Sequence, residues 1–387
     1  MNKKALAVAL GSLVAVPAFA QSNVTLSGFV AVSYANYRVS DTLRPMATEN
    51  RLDDAGSRFT LKGVEDLGGG LSAYFQIDNR INADVRPNTA YGNAQGLADG
   101  ETFVGLKHKN LGSIGFGKFE LHSNQFKGFS EFYRVENTQL YAGTNLLSKI
   151  NATAIANASR IQNAVKYDTP NWGGFSGIVG YSFNPTGNEG NASYVNTGYA
   201  TGSFAPAANN KYNKGDAWNV VGRYNNGPIN AFVSYYEQTN EGADRAGQES
   251  YRLGGDYAFP FGLKVGLDYD NSKIIGATAA ADTKRTAWML PISYMTGAHG
   301  FYLTFAKAND RKVGGSKVAN SGAKQWSLAY DYALSKRTIV GVSYMNLKND
   351  TAGAYSPHNA GVAVFGGSNL NAGEDARQLS LNLTHRF

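Results

Sequence analysis

Apolar and polar residues alternate with a period of two along most of the chain. The last run, QLSLNLTHRF, sets Leu379, Leu381, Leu383, His385 and Phe387 against Gln378, Ser380, Asn382, Thr384 and Arg386. That period belongs to a β-strand, whose successive side chains point to opposite faces. The first run, VTLSGFVAVSYANY, puts Val24, Leu26, Val30, Val32 and Tyr34 on one face and Thr25, Ser27, Ala31 and Ser33 on the other. The pattern recurs in SRFTLKGVED, LSAYFQIDNR, ETFVGLKHK, SIGFGKF, IQNAVKY, GFSGIVGYSF, AWNVVGRYNN, INAFVSYYEQ and SYRLGGDYAF. It continues through LKVGLDYDNS, TKRTAWMLPISYM, GFYLTFAKAN, KQWSLAYDYAL and TIVGVSYMNL. These make about sixteen strands, each near the length a tilted strand needs to cross a bilayer.

The connections alternate short and long. Leu67 to Gly70, Asn110 to Gly112, Pro170 to Gly174, Asn225 to Pro228, Phe259 to Gly262, Thr296 to Gly300 and Leu334 to Lys336 are tight turns. Most contain the Gly, Pro or Asn that such turns require. Between them stand long connections, including Val39 to Ala55, Ala83 to Gly100, Asn184 to Gly215, Asp310 to Gly322 and Asn349 to Asp375. This is the punctuation of an up-and-down barrel with one end trimmed and the other elaborated. A propeller or sandwich would show blade-sized repeats or inward faces apolar throughout. Here one face of every strand is polar, which predicts a wet interior. Closure follows, because an open sheet edge in hydrocarbon leaves backbone groups unpaired at several kcal/mol each. Aromatic residues near strand ends, such as Tyr181 and Phe183, Tyr235 and Tyr236, Phe259 and Phe261, Tyr330 and Tyr332, Tyr344 and Phe387, suit interfacial girdles.

One connection is out of scale. Residues 121–160 are too long for a turn and carry Phe126, Phe129, Phe132, Tyr133 and Tyr141 among mixed charges. Their alanine-rich tail, NATAIANAS, suits a helical turn or two.

Composition fixes the compartment. MNKKALAVALGSLVAVPAFA has Lys3 and Lys4 before an apolar run and ends in Ala18-Phe19-Ala20. It reads as a secretory signal peptide over residues 1–20, leaving 21–387 as the mature barrel. Cleavage would lower the formal net charge of +7 by two. There is no cysteine, so no disulfide and no thiolate metal site. Neither GxSxG, Walker nor metal-ligand spacing occurs, and the five histidines sit in no catalytic motif, which argues against an enzyme and against a bound cofactor or metal. Basic residues are scattered along strands rather than clustered, against a nucleic-acid role.

SRFTLKGVEDLGGGLSAYFQID, FVGLKHKNLGSIGFGKF, YDYALSKRTIVGVSY and the terminal LTHRF resemble the general diffusion porins of Gram-negative outer membranes, in their β-proteobacterial, neisserial and Burkholderia-like branch. The resemblance spans the mature chain. It implies an all-β, 16-stranded antiparallel transmembrane barrel, a homotrimer set in outer-membrane lipid and lipopolysaccharide. It further implies that residues 121–160 fold into the lumen as a constriction loop, and that Phe387 is the signal read by the barrel assembly machinery. Small hydrophilic solutes and ions would pass passively, with a mild anion preference. A substrate-specific channel for sugars or anionic solutes on the same fold is the alternative.

The resemblance puts a pore-wall cation at Arg58, and strand parity turns Arg58, Thr60 and Lys62 to the lumen while Phe59 and Leu61 face lipid. Arg80 shares lumen parity with Gln76 and Asp78. Arg160, Gln162, Ala164 and Lys166 share it if Val165 and Tyr167 face lipid. Where the family has a further Arg, this chain has Gly100. Lys127, Glu131, Arg134 and Glu136 are the charges the loop would bring to the constriction, its two glutamates facing the basic wall.

Overall fold

The computed structural model describes residues 23–40, 48–84, 97–122, 146–155, 160–185, 215–239, 247–357 and 370–387. Their sheet opens with β1 (Asn23–Ser40) and with β2, which runs in two segments, Thr48–Asp54 and Arg58–Gly68. Both segments pair with β1, from Arg38↔Thr48 to Asn23↔Val64. The break between them is built by the Asp54 carboxylate, which accepts the N–H groups of Gly56 (2.8 Å) and Ser57. Gly56 there takes a φ of 87°, which a residue with a Cβ adopts only under strain.

The sheet continues through β3 (Leu71–Arg80), β4 (Thr102–His108), β5 (Gly112–Phe119), β6 (Ile161–Asp168) and β7 (Phe175–Ser182). Next come β8 (Ala217–Asn226), β9 (Ile229–Thr239), β10 (Gly247–Ala258), β11 (Leu263–Ile275) and β12 (Thr283–Thr296). It ends with β13 (His299–Ala308), β14 (Ala323–Ala333), β15 (Thr338–Asn349) and β16 (Asp375–Arg386). Each strand pairs antiparallel with the next, and β16 returns to β1 from Phe29↔Arg386 to Ser40↔Asp375. Gly28 and Phe387 exchange both backbone hydrogen bonds, at 3.1 and 3.0 Å, and complete the ring. The result is a closed barrel of sixteen antiparallel strands.

The alternation expected from the sequence is the one the barrel uses. In β1, Phe29, Ala31, Ser33, Ala35 and Tyr37 are buried inside, whereas Val30 and Tyr34 are exposed on the outer wall. Leu379, Leu381 and Leu383 on β16 are likewise outside, with Gln378, Ser380, Asn382 and Thr384 inside. Aromatic pairs ring both ends of that wall, with Tyr181, Phe183 and Trp218 near the long-loop end and Tyr257, Phe259 and Phe261 near the short-turn end. Tyr236 departs from the expected girdle. It follows Tyr235 in a strand, so it points the other way and is fully buried inside.

The interior is not uniformly wet. An apolar cluster joins Leu146 and Leu147 of the long loop to Met289, Met345 and Leu347 on the inner wall and to Tyr355 and Leu370 of the β15–β16 connection. A second joins Phe119, Leu121, Ile161, Ala164, Ala217 and Tyr236. Loops packed inside the barrel supply the apolar partners that the strand pattern alone lacks. TENRLDD, read from sequence as connection, is the first segment of β2, and a small hairpin at Lys312–Val313 and Ser316–Lys317 lies in another connection.

Candidate pore constriction

The basic side chains expected on the wall do converge. Phe29 faces inward, and its register partner Arg58 shares that face, with its guanidinium carbon 4.8 Å from the Phe29 ring centroid. Arg80 pairs with Arg58 across β2 and β3, and Lys62 pairs with Thr25 lower on the same face. Arg160 lies just before β6 and reaches Glu120 (Nη2 to Oε1, 3.1 Å). The charges of Arg58 and Arg160 both bear on Arg80, as do those of Asp78 and Glu120. Lys166 stands over the Phe119 ring at 5.1 Å and is paired with Asp168 at 3.2 Å.

One parity expectation is corrected. Gln162 does not share the lumen face with Arg160 and Lys166. Against β5, Gly117 pairs with Ala164 but Phe119 with Ile161, so β6 holds one extra residue. Asn163 absorbs it with a φ of 49°, Ile161 turns inward, and Gln162 lies on the outer wall beside Phe116 and Val165. A β-bulge of this kind resets the faces that strict alternation assigns.

The wall also holds acids, of which strand parity had placed only Asp78 on the lumen face. Asp78 pairs with Arg80 at 3.2 Å. Glu101 accepts the backbone N–H of Glu120 at 2.9 Å, and Arg160 and Lys166 both act on its carboxylate. Burial first, then the charge of Glu120, pushes the Glu101 carboxyl above its usual range. Gly100 donates its N–H to Asp78 O at 2.9 Å, and a Cβ there would lie 2.1 Å from Asp78 Cγ. The space that a side chain at Gly100 would need is occupied by the carboxylate that pairs with Arg80. Higher on the wall Arg51, also missed, lies over the Tyr37 ring at 4.2 Å and pairs with Asp53 at 2.7 Å.

The described parts of the long loop lie inside the lumen. At its start, His122 hydrogen-bonds Ser234 of β9 (Nδ1 to Oγ, 2.7 Å) and Ser250 of β10 (Nε2 to Oγ, 2.9 Å). Full burial, then the charge of Arg252, holds this imidazole down at about 3. Further along, Arg285 of β12 donates to the carbonyls of Leu147 (2.9 Å) and Lys149 (2.5 Å), and Arg252 of β10 donates to Leu147 O (3.1 Å). Asp270 of β11 pairs with both guanidiniums at 2.9 Å. Residues 146–148 are helical, and Lys149–Ile150 with Thr153–Ala154 make a hairpin. The helical turn expected over NATAIANAS is therefore displaced: its described part turns at Asn151, whose φ is 58°. Asn tolerates that left-handed conformation better than most residues.

The seat of the loop carries a signal that was present in the sequence. Ala287, Ala306, Ala308, Ala323 and Ala376 occupy lumen positions in the part of the wall where Leu146 and Leu147 dock. Small side chains on a face otherwise built of larger ones leave the room the loop fills. Arg252 and Arg285 stand on lumen parity too, but no local pattern says that their partners are backbone carbonyls more than a hundred residues away. Lys127, Glu131, Arg134 and Glu136 lie outside the described residues, as does the segment 1–20. Among the described residues there is no grouping of His, Asp and Glu suited to a metal.

Comparison with known proteins meets this geometry. A family model described as Gram-negative porin matches residues 5–352. An outer membrane porin of Bordetella pertussis is 28% identical, over 87% of this chain and 92% of its own. Outer membrane porin protein 32 of Delftia acidovorans is also 28% identical, over 96% and 95%. Among solved structures, the anion-selective porin from Comamonas acidovorans superposes with a TM-score of 0.70 at 26% identity, covering 95% of this chain and all of that one.

Proposed function

The chain belongs to the Gram-negative porin family, and from that premise we propose that the Arg58, Arg80, Arg160 and Lys166 wall is its selectivity filter. The protein is a general diffusion porin of the outer membrane, a channel and not an enzyme. The observation that carries the proposal is the convergence of Arg58, Arg80 and Arg160 opposite the docked loop, with Asp78, Glu101 and Glu120 among them. Lys166 is paired with Asp168, so four cations stand against four acids and the wall carries separated charges without a net excess. Low-dielectric walls focus the field of such separated charges across a water-filled gap. Hydrated dipolar solutes orient in such a field, whereas apolar ones must displace ordered water. Passage is passive and size-limited, with a mild preference for anions, in keeping with the anion-selective relative.

Lys62 extends the basic wall toward the short-turn end, and Lys127, Glu131, Arg134 and Glu136 are assigned to the facing bank of the constriction. Residues 1–20 serve export, and Phe387 serves assembly in the outer membrane. A homotrimer is the favoured assembly, in keeping with membership of the porin family. The test is the reversal potential across a planar bilayer under a salt gradient. The native channel should favour anions slightly and Arg58→Glu should move it toward cations; a clearly cation-selective native channel would remove the assignment.

A further inference from the structure

The constriction loop is held inside the barrel from two sides, and only one of them is the wall. The other is the β15–β16 connection, which turns inward: residues 353–357 are all buried, and so is Leu370. Asn349 sets that turn. Its side-chain amide donates to Tyr355 O (2.9 Å) and Glu374 O (2.7 Å), and its Oδ1 accepts the Tyr355 N–H (2.9 Å). Gly373 N–H donates to Gly353 O at 2.9 Å and closes the base of the tongue. So placed, Ala354 donates its N–H to Asn151 Oδ1 at 2.6 Å, at the tip of the loop hairpin. Tyr355, fully buried, shares one apolar cluster with Leu146 and Leu147.

We propose that this tongue latches the constriction loop, with Asn151 and Tyr355 as positioning residues that fix the hairpin tip in the open pore. The proposal rests on the reading of the chain as a porin. The wall grips the loop at Leu147 and Lys149, one side of the hairpin, so the turn at Asn151 and Ala152 projects beyond those bonds. A hairpin held on one side pivots about its anchors; the bond from Ala354 and the packing of Tyr355 remove that freedom. The cross-section available to solutes is then set by two connections far apart in sequence acting together.

Single-channel recording of the full-length protein in planar bilayers tests this with substitutions chosen around the Asn151 backbone. Asn151→Gly keeps the left-handed φ available but removes the acceptor, whereas Asn151→Asp keeps both. Asn151→Gly should raise the frequency of spontaneous closures and the open-state noise several-fold, and Asn151→Asp should record like the native channel. Tyr355→Ala should resemble Asn151→Gly, and the double variant should be no worse than the stronger single one. Equal behaviour of the Gly and Asp variants, or independent addition of the two defects, would overturn the latch. Heat-resistant migration of the folded barrel on gels, unchanged in every variant, separates gating from misfolding. A native protein that conducted no ions would instead count against the porin reading.

Discussion

A single missing Cβ decides part of the proposed filter. At Gly100 any larger residue meets the Asp78 carboxylate, so an arginine can stand there only by displacing the partner of Arg80. The wall is thereby left close to electrical balance, and one titrating acid can tip it. Glu101, outside the spanning strands, is that acid, because its carboxyl is pushed above the ordinary carboxylate range. As pH falls, Glu101 takes up a proton before exposed carboxylates do, and the cluster gains one positive charge. The anion preference should therefore increase on acidification from pH 7 at values where ordinary carboxylates are still ionised. Glu101→Gln should show the stronger preference already at pH 7 and lose this early step. Reversal potentials measured at stepwise pH check it, and equal slopes in native and variant channels would count against it.

At the scale of elements, the loop is docked by polar groups that have given up water, so its position is linked to proton binding. His122 is neutral in its site between Ser234 and Ser250, facing the Tyr236 ring, Arg252 and Asp270. Its docked-state value of about 3 lies below the ordinary histidine value of about 6.5, so the docked state binds fewer protons than an undocked one. The contribution to docking is whole above about pH 6.5 and is lost as pH falls toward 3, at most about 5 kcal/mol over that window. Acid-induced closures should grow steeply in the native channel below pH 6. His122→Gln, which keeps hydrogen-bonding capacity without the proton, should flatten that rise in the same recordings. Arg285 offers a pH-independent comparison. Arg285→Met releases the Lys149 carbonyl, leaves Leu147 O to Arg252 and leaves Asp270 with Arg252 as its remaining guanidinium partner, which should cost docking about 2–4 kcal/mol and raise closures at every pH.

For the whole molecule, the outer wall must satisfy hydrocarbon and the inner wall water. Leu267 on β11 is half exposed on the outer face, whereas Thr60 on β2 lies on the lumen face between Arg58 and Lys62. A charge near the bilayer midplane costs about 2–4 kcal/mol on the lipid face, so Leu267→Lys should lower barrel stability by that order. Thr60→Lys should leave stability nearly unchanged and shift selectivity toward anions. Denaturant unfolding of the barrel in lipid vesicles distinguishes the two, and equal losses would mean that the faces are misassigned.

The strand pattern alone determined the barrel: β3 and β8 fall where the alternation of LSAYFQIDNR and AWNVVGRYNN places them, and the lumen parity of Arg58 and Arg80 could be read from their neighbours. Those features are local, since a strand's two faces follow from its own period and closure follows from the cost of an open edge in lipid. Only the tertiary structure decided that Asp78 fills the space beside Gly100 and that a bulge at Asn163 turns Gln162 outward. The same holds for the acids Glu101 and Glu120 within the basic wall, and for Arg252 and Arg285 gripping a distant loop backbone. Those meetings depend on how the ring closes and where a non-periodic loop crosses it. Alternation within a strand says which way a side chain points, and the curvature of the closed sheet decides what stands opposite it.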